Sequence, residues 1–265
     1  MISRRLGLRI LLVATIAIVV TGLMLPRIPQ PQSYHAFANQ RSFLGVPHFA
    51  DVVSNVPFAI FGLWGVLFLL RYNPEELRTH FLDRRERWFY VIISIGLFLT
   101  AFGSGYYHLD PGNDRLMWDR LPMTIVFTSF VAALIAERIH LRAGLWLLPA
   151  LLLIGISSVL QWHMSEMHGA GDLRFYGAVQ AYAVLFVLLA SLLPTPYTRG
   201  SDLLLVAGFY ILAKALEILD KPIFALGQIV SGHTLKHLAA ALAGYSILRM
   251  IRRRRPKHLS QSYIN

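Results

Sequence analysis

His233 and His237 stand four residues apart in Ser231-Gly232-His233-Thr234-Leu235-Lys236-His237, directly ahead of the apolar run 238–248. On a helix that spacing puts two imidazoles on one face, about one turn apart, so a single helix can give one metal ion two ligands. With ten histidines in 265 residues, a His-x-x-x-His match arises by chance in roughly a third of such chains; the pair needs company. His108 can give a third nitrogen from another segment. Three neutral imidazoles leave a tetrahedral Zn²⁺ one open position, the pattern of a catalytic site rather than a closed structural one. Such an ion acidifies water and polarises a carbonyl. Asp119 then suits the base or orienting partner of that water. Ser104, one turn before His108, faces the same side and can stabilise an oxyanion. The reaction this implies is hydrolysis of an acyl bond.

The elements that must position these groups are apolar helices. The chain is 55% apolar and 15% charged, against about 45–50% and 25% for soluble domains, which points to an all-α integral membrane protein. Cysteine is absent, so disulfides and thiolate metal sites are excluded. Apolar runs at 10–25, 49–70, 89–108, 121–139, 143–162, 175–193, 203–219 and 229–250 are of near-spanning length. They predict a seven-helix core preceded by one extra N-terminal helix. The expected organisation is a signal-anchor helix over 1–25, an outer loop over 26–45, the core over 46–250 and a basic cytoplasmic tail over 251–265. A cleaved signal would want its small-residue site near the apolar run, yet Ala36-Phe37-Ala38 lies well beyond it.

Charge sets the orientation. With the N-terminus in the cytoplasm, seventeen of the 25 Lys and Arg residues fall in inside segments and six in outside ones. That asymmetry follows the positive-inside rule, puts both termini in the cytoplasm, and argues against a nucleic-acid partner for the +11 net charge. It also brings Asp51, Ser54, Asn55, Ser104, His108, Asp119, Glu217, His233, Lys236 and His237 to one outer level. Ionisable groups at membrane depth mark function by default. Each has a bland alternative: the histidines as interhelical hydrogen-bonding groups, His108 as an interfacial residue, Asp119 as a helix N-cap, and Ser104 in Gly103-Ser104-Gly105 as a close-packing residue.

Other clusters carry weaker signals. His163, Glu166, His168 and Asp172 crowd the loop expected before 175; a solvated loop is the preferred reading over a second metal site. Asp172 suits a cap on the following helix. Glu217 has three expected roles: pairing with Lys214 or Lys221, pairing with Lys236, or, with Asp220 as the other candidate, accepting from a ligand histidine. The run Arg252–Arg255 reads as an anchor at anionic lipid.

These residues together resemble the alkaline ceramidase (phytoceramidase) family, in a bacterial branch of the CREST superfamily of seven-helix membrane hydrolases. The matching pieces are Ser54-Asn55, Ser104-x-x-x-His108, Asp119-Arg120-Leu121-Pro122-Met123 and His233-x-x-x-His237, over about 46–250. The resemblance implies zinc on His108, His233 and His237, Asp119 activating water, Ser104 on the oxyanion side, and a ceramide-like membrane lipid as substrate. Together with the orientation from charge, a bacterial branch puts the enzyme in an inner membrane with its site expected toward the periplasm. The segment 26–48 holds no Asp or Glu, so the calcium site of animal members is not expected. An ester-cleaving lipid remodelling enzyme and a non-catalytic zinc-containing receptor are the alternatives.

Overall fold

The computed structural model describes residues 2–257; Met1 and positions 258–265 of the expected tail lie outside them. The described residues form helices α1 (Arg4–Met24), α2 (Phe49–Val53), α3 (Val56–Arg71), α4 (Pro74–His80), α5 (Arg87–Leu109), α6 (Asn113–Arg138), α7 (Leu141–Met167), α8 (Arg174–Leu192), α9 (Leu203–Ile218), α10 (Asp220–Ala225) and α11 (Gly232–Arg253), with no sheet among them. Local chemistry sets several ends. Ser3 accepts from the Leu6 N–H at 3.3 Å to start α1, and Ser231 accepts from the Thr234 N–H at 3.1 Å to start α11. Both satisfy donors that a helix cannot satisfy itself. Asn73 and Glu76 form a reciprocal capping box around Pro74 at the head of α4.

Six helices are long and apolar enough to cross a membrane: α1, α2 with α3 as one span, α5, α6, α7 and α8. Of the eight expected spans, α9 and α11 fall outside that set. The 16 residues of α9 rise about 24 Å, short of a hydrocarbon core of about 30 Å. The 22 residues of α11 begin with His233, Lys236 and His237 and end with basic residues, which lowers its hydropathy for the reason that makes it interesting.

Packing closes six helices into a ring: α3 lies on α5, α5 on α6, α6 on α8, α8 on α9, α9 on α11, and α11 returns to α3. Outside it, α7 packs behind α6 and α8, and α1 lies along α8. Glycines let neighbours approach: the backbone of Gly144 on α7 sits against the Ala132 carbonyl of α6. Two boundaries differ from the expected ones because helical hydrogen bonding continues past the apolar runs. α6 starts at Asn113, so Asp119 sits in its second turn and Gly112 holds the cap position; Asp119 is not an N-cap. α7 continues to Met167, so His163 and Glu166 are helical rather than in a loop.

Buried polar groups form two layers at opposite ends of the ring. One gathers the starts of α2 and α11, the end of α5 and the early turns of α6. The other joins Glu86, Glu137, Arg138, Tyr197 and Arg254, all buried. Arg254 pairs with Glu137 at 2.7 Å and Glu86 at 3.5 Å, and its guanidinium stacks on Tyr197 at 3.8 Å. Within the expected Arg252–Arg255 anchor one residue is corrected: Arg254 is interior, held by the His80 carbonyl and the buried acids, while Arg252, Arg253 and Arg255 are exposed. Its neighbour Arg255 bonds His80 Nδ1 at 2.9 Å.

Candidate metal centre

At the first of these layers α5 and α6 meet closely. Gly103 passes the carbonyl of Trp118, and a Cβ there would collide with it. Pro122, four residues on, has no N–H to offer that carbonyl, so the crossing falls where α6 lacks one internal bond. The next residues along each helix, Ser104 and Asp119, face one another. One turn further along α5 is His108.

α11 brings the other two histidines. Gly232 sits against the Leu216 carbonyl and the backbone of Asp220, which seats the head of α11 on the end of α9. The Asp220 carboxylate then works in two directions: Oδ1 accepts the His233 backbone N–H at 2.8 Å and Oδ2 accepts the Ala38 N–H at 2.8 Å. The expectation that Asp220 or Glu217 accepts from a ligand imidazole is therefore corrected. Asp220 holds backbone, and Glu217 is taken by Lys214, Lys236 and Tyr34.

The three imidazoles converge. Ring centroids are 4.9 Å apart for His108–His233, 4.9 Å for His108–His237 and 4.8 Å for His233–His237. One donor atom from each lies within 4.8 Å of the others, and all three residues are buried. That spacing would let all three imidazoles hold one metal ion.

Two details show that the residues fit a metal. The Ser54 hydroxyl donates to the Asp51 carbonyl at 3.0 Å and lies 2.7 Å from His237 Nδ1. A hydroxyl has one proton, so Ser54 accepts from Nδ1–H, and Nε2 keeps its lone pair for an ion. His108 Nδ1 is buried with no hydrogen-bond partner, a costly state for a polar atom that no protein group relieves. Among the described residues this is the one such group of three metal-binding side chains. The possible cluster at 163–172 does not form: Glu166 Oε1 instead accepts the Gln30 N–H at 2.7 Å and the Trp162 indole at 3.2 Å. Asp172 accepts the Arg174 N–H at 3.1 Å at the head of α8 and pairs with its guanidinium at 2.7 Å.

A cavity of about 140 Å³ opens from this layer into the ring. Its polar end carries Asn55, Ser104, Asp119, Lys236 and His237, and its walls are apolar side chains from all six ring helices. From His237 to Ile247 it follows α11 for about 15 Å. Of the three histidines only His237 is on its wall.

The other two are roofed by the segment between α1 and α2, whose importance the sequence reading did not foresee. Phe37 is 4% exposed, its ring centroid 4.3 Å from that of His233 and 4.7 Å from that of His108. His35 bonds Tyr107 Oη at 2.8 Å and Asn113 at 2.9 Å, and Tyr34 Oη donates to Glu217 at 3.0 Å. Nothing in the local sequence separates Phe37 from any other loop aromatic; its contacts depend on the path of the chain. No protein-family model matches the chain and no curated protein matches it, which leaves the side chains themselves to say what the site does.

Proposed function

We propose that the chain is a zinc-dependent intramembrane hydrolase that cleaves the amide bond of ceramide or a related N-acyl lipid and releases a free fatty acid. The observation that carries this is one juxtaposition: a cluster of three buried histidines, one of which, His237, stands with Asp119 and Ser104 on the wall of an apolar cavity. The resemblance to alkaline ceramidases, drawn from these residues, supports it. In this reading α9 and α11 join the six apolar helices as spans. The basic residues of the α1 start face the cytoplasm, and the histidines lie toward the periplasm of a bacterial inner membrane.

The cavity takes the acyl chain, whose burial supplies binding energy of about 0.8 kcal/mol per methylene. That fixes the amide at the polar end, beside Ser104 and Asp119. Zinc held by the three imidazoles supplies Lewis acidity for the carbonyl and for water. The Asp119 carboxylate takes a proton from the attacking water, then returns it to the leaving nitrogen as the C–N bond breaks, giving a fatty acid and a free amine. Ser104 donates to the carbonyl oxygen as it gains charge. Ser54 holds His237 in the tautomer that ligation needs. The Phe37 roof keeps bulk water off the histidines and leaves the bilayer side for substrate access.

The test is metal analysis and turnover of the purified full chain on paired amide and ester lipids. Stoichiometric zinc is expected, lost in the His233→Ala/His237→Ala variant, with the amide cleaved. Asp119→Asn is expected to keep zinc and lose roughly 10²–10⁴-fold in kcat, the range of one general acid–base group. Cleavage of the ester alone turns the reading to lipid remodelling. A metal-bearing protein with no turnover on either lipid turns it to a receptor, and metal-free protein with full activity overturns it.

A further inference from the structure

Past Asp119 lies a second chamber of about 230 Å³. By the same measure one water takes roughly 10–15 Å³, so the space holds a group of several atoms. Its lining carries more polar side chains than that of the first cavity. Asp119, Tyr210 and Lys236 stand on the walls of both, so the two chambers meet at the residue assigned to proton transfer.

Its charges do not balance. Three cations, Arg120, Lys214 and Lys236, line it against two carboxylates, Asp119 and Glu217. Glu217 is divided between two ammonium groups, Lys236 at 2.7 Å on Oε1 and Lys214 at 2.7 Å on Oε2. Glu217 takes one proton from each ammonium; Lys236 Nζ also stands 3.5 Å from His233 Nε2, and the Lys214 side chain is 45% exposed, so the fully enclosed surplus charge is that of Arg120. Arg120 is 6% exposed, and no carboxylate among the described residues pairs with it. One of its nitrogens, Nη2, donates to Gln30 Oε1 at 2.6 Å, while Nη1 is buried without a partner. Its guanidinium lies between aromatic faces, 4.1 Å from Trp162 and 4.7 Å from Tyr176. Stacking fixes the group but does not neutralise it. A surplus cation held out of water costs several kcal/mol unless a counter-charge arrives, and none of these side chains is needed to hold an acyl chain.

We infer that this chamber receives the head group on the amine side of the scissile amide, and that this head group is an anion, a carboxylate or a phosphate. The substrate class is then an acidic N-acyl amphiphile rather than a neutral ceramide. The substrate part of this assignment rests on the hydrolase reading; the anion site does not. With the acyl chain in the apolar cavity and the amide at Asp119, the amine-side substituent has the polar chamber before it.

The experiment has two arms, both on the full chain in a neutral maltoside detergent. In the first, metal-stripped protein is melted with N-lauroylglycine, dodecyl phosphate or the neutral N-lauroylethanolamine. Removing the metal keeps it from binding the anion. The two acids are expected to raise the melting temperature more than the neutral amide does, and Lys214→Gln and Arg120→Gln to shrink that difference. In the second, the zinc-loaded protein is given N-lauroylglycine and N-lauroylethanolamine. The acid is expected to win in kcat/KM by roughly ten- to hundredfold, the scale of one charge-assisted hydrogen bond, with the ratio reduced in Lys214→Gln. Equal melting shifts for charged and neutral amphiphiles overturn the anion site, as does a charged shift that neither variant alters. Charge-dependent melting without turnover of either amide keeps the site and removes the hydrolase reading. Turnover without preference keeps the hydrolase and removes the acidic substrate.

Discussion

The Ser54 hydroxyl gives its proton to the Asp51 carbonyl and takes one from His237, so a neutral side chain decides which nitrogen of an imidazole is free. Partners of this kind commonly account for ten- to a hundredfold in metal affinity. Ser54→Ala is expected to weaken zinc binding by about that factor in a chelator competition, while Ser54→Thr, which keeps the hydroxyl, holds near the parent value. An alanine variant with unchanged affinity would assign Ser54 to packing alone. The same scale separates what the sequence discloses from what it hides. His233 and His237 are legible because four-residue spacing on a helix is a geometric statement, and His108 and Asp119 because orientation brings them to the same level. The partners of Glu217 are less legible: the i, i+3 pair with Lys214 is a rule of helix surfaces, but Lys236 and Tyr34 reach it across the fold.

At the scale of elements the segment between α1 and α2 matters most. It has little regular structure, yet it is tied at Gln30 to Glu166 and Arg120, at Tyr34 to Glu217, at His35 to Tyr107 and Asn113, at Ala38 to Asp220, and at Arg41 to the Ile229 carbonyl. Those anchors come from α5, α6, α7, α9, α10 and the approach to α11, so the loop stitches one end of the ring together with Phe37 in the middle. Burying a phenylalanine side chain stabilises by about 1.5–3 kcal/mol, which sets the population of an open roof. Phe37→Ala is expected to speed removal of zinc by EDTA roughly ten- to hundredfold, with the melting temperature much less affected because the seven anchoring hydrogen bonds remain. An unchanged rate would show that the metal leaves by another path. Period and hydropathy expose helices, and the described residues are indeed helical with six apolar helices of spanning length, but a polar connecting segment has neither. Its role is fixed by long-range hydrogen bonds that no local pattern encodes.

The whole molecule is held between two polar layers, which differ in how their charges are met. At the histidine end, a buried imidazole nitrogen, an arginine nitrogen and a carboxylate oxygen of Asp51 lack protein partners. At the other end each carboxylate has a cation beside it: Glu137 takes Arg138 at 2.9 Å and Arg254 at 2.7 Å, and Glu86 takes Arg254 at 3.5 Å and shares the one Tyr197 hydroxyl proton between its oxygens. Arg254 also donates to the His80 carbonyl at 3.0 Å, while Arg138 Nη2 is buried without a hydrogen-bond partner. This network joins the starts of α5, the end of α6, the α8–α9 connection and the end of α11. It was hidden because Glu86, Glu137 and Arg254 sit at helix ends, where charge ordinarily means solvent or lipid head groups. Its role follows from the cost of breaking it. Removing one partner of a buried ion network strands the others and costs about 3–5 kcal/mol. Arg254→Ala takes a cation from both acids, leaving Glu137 with Arg138 and the Thr195 hydroxyl and Glu86 with Tyr197 and the Asp83 N–H, so a large fall in melting temperature is expected in detergent. Zinc per folded molecule should stay at the parent ratio, because the histidines belong to the opposite layer. If Arg254→Ala instead emptied the metal site while the fold survived, the two ends would be coupled through α11, the helix that carries Arg254 just past its end and both His233 and His237 at its start.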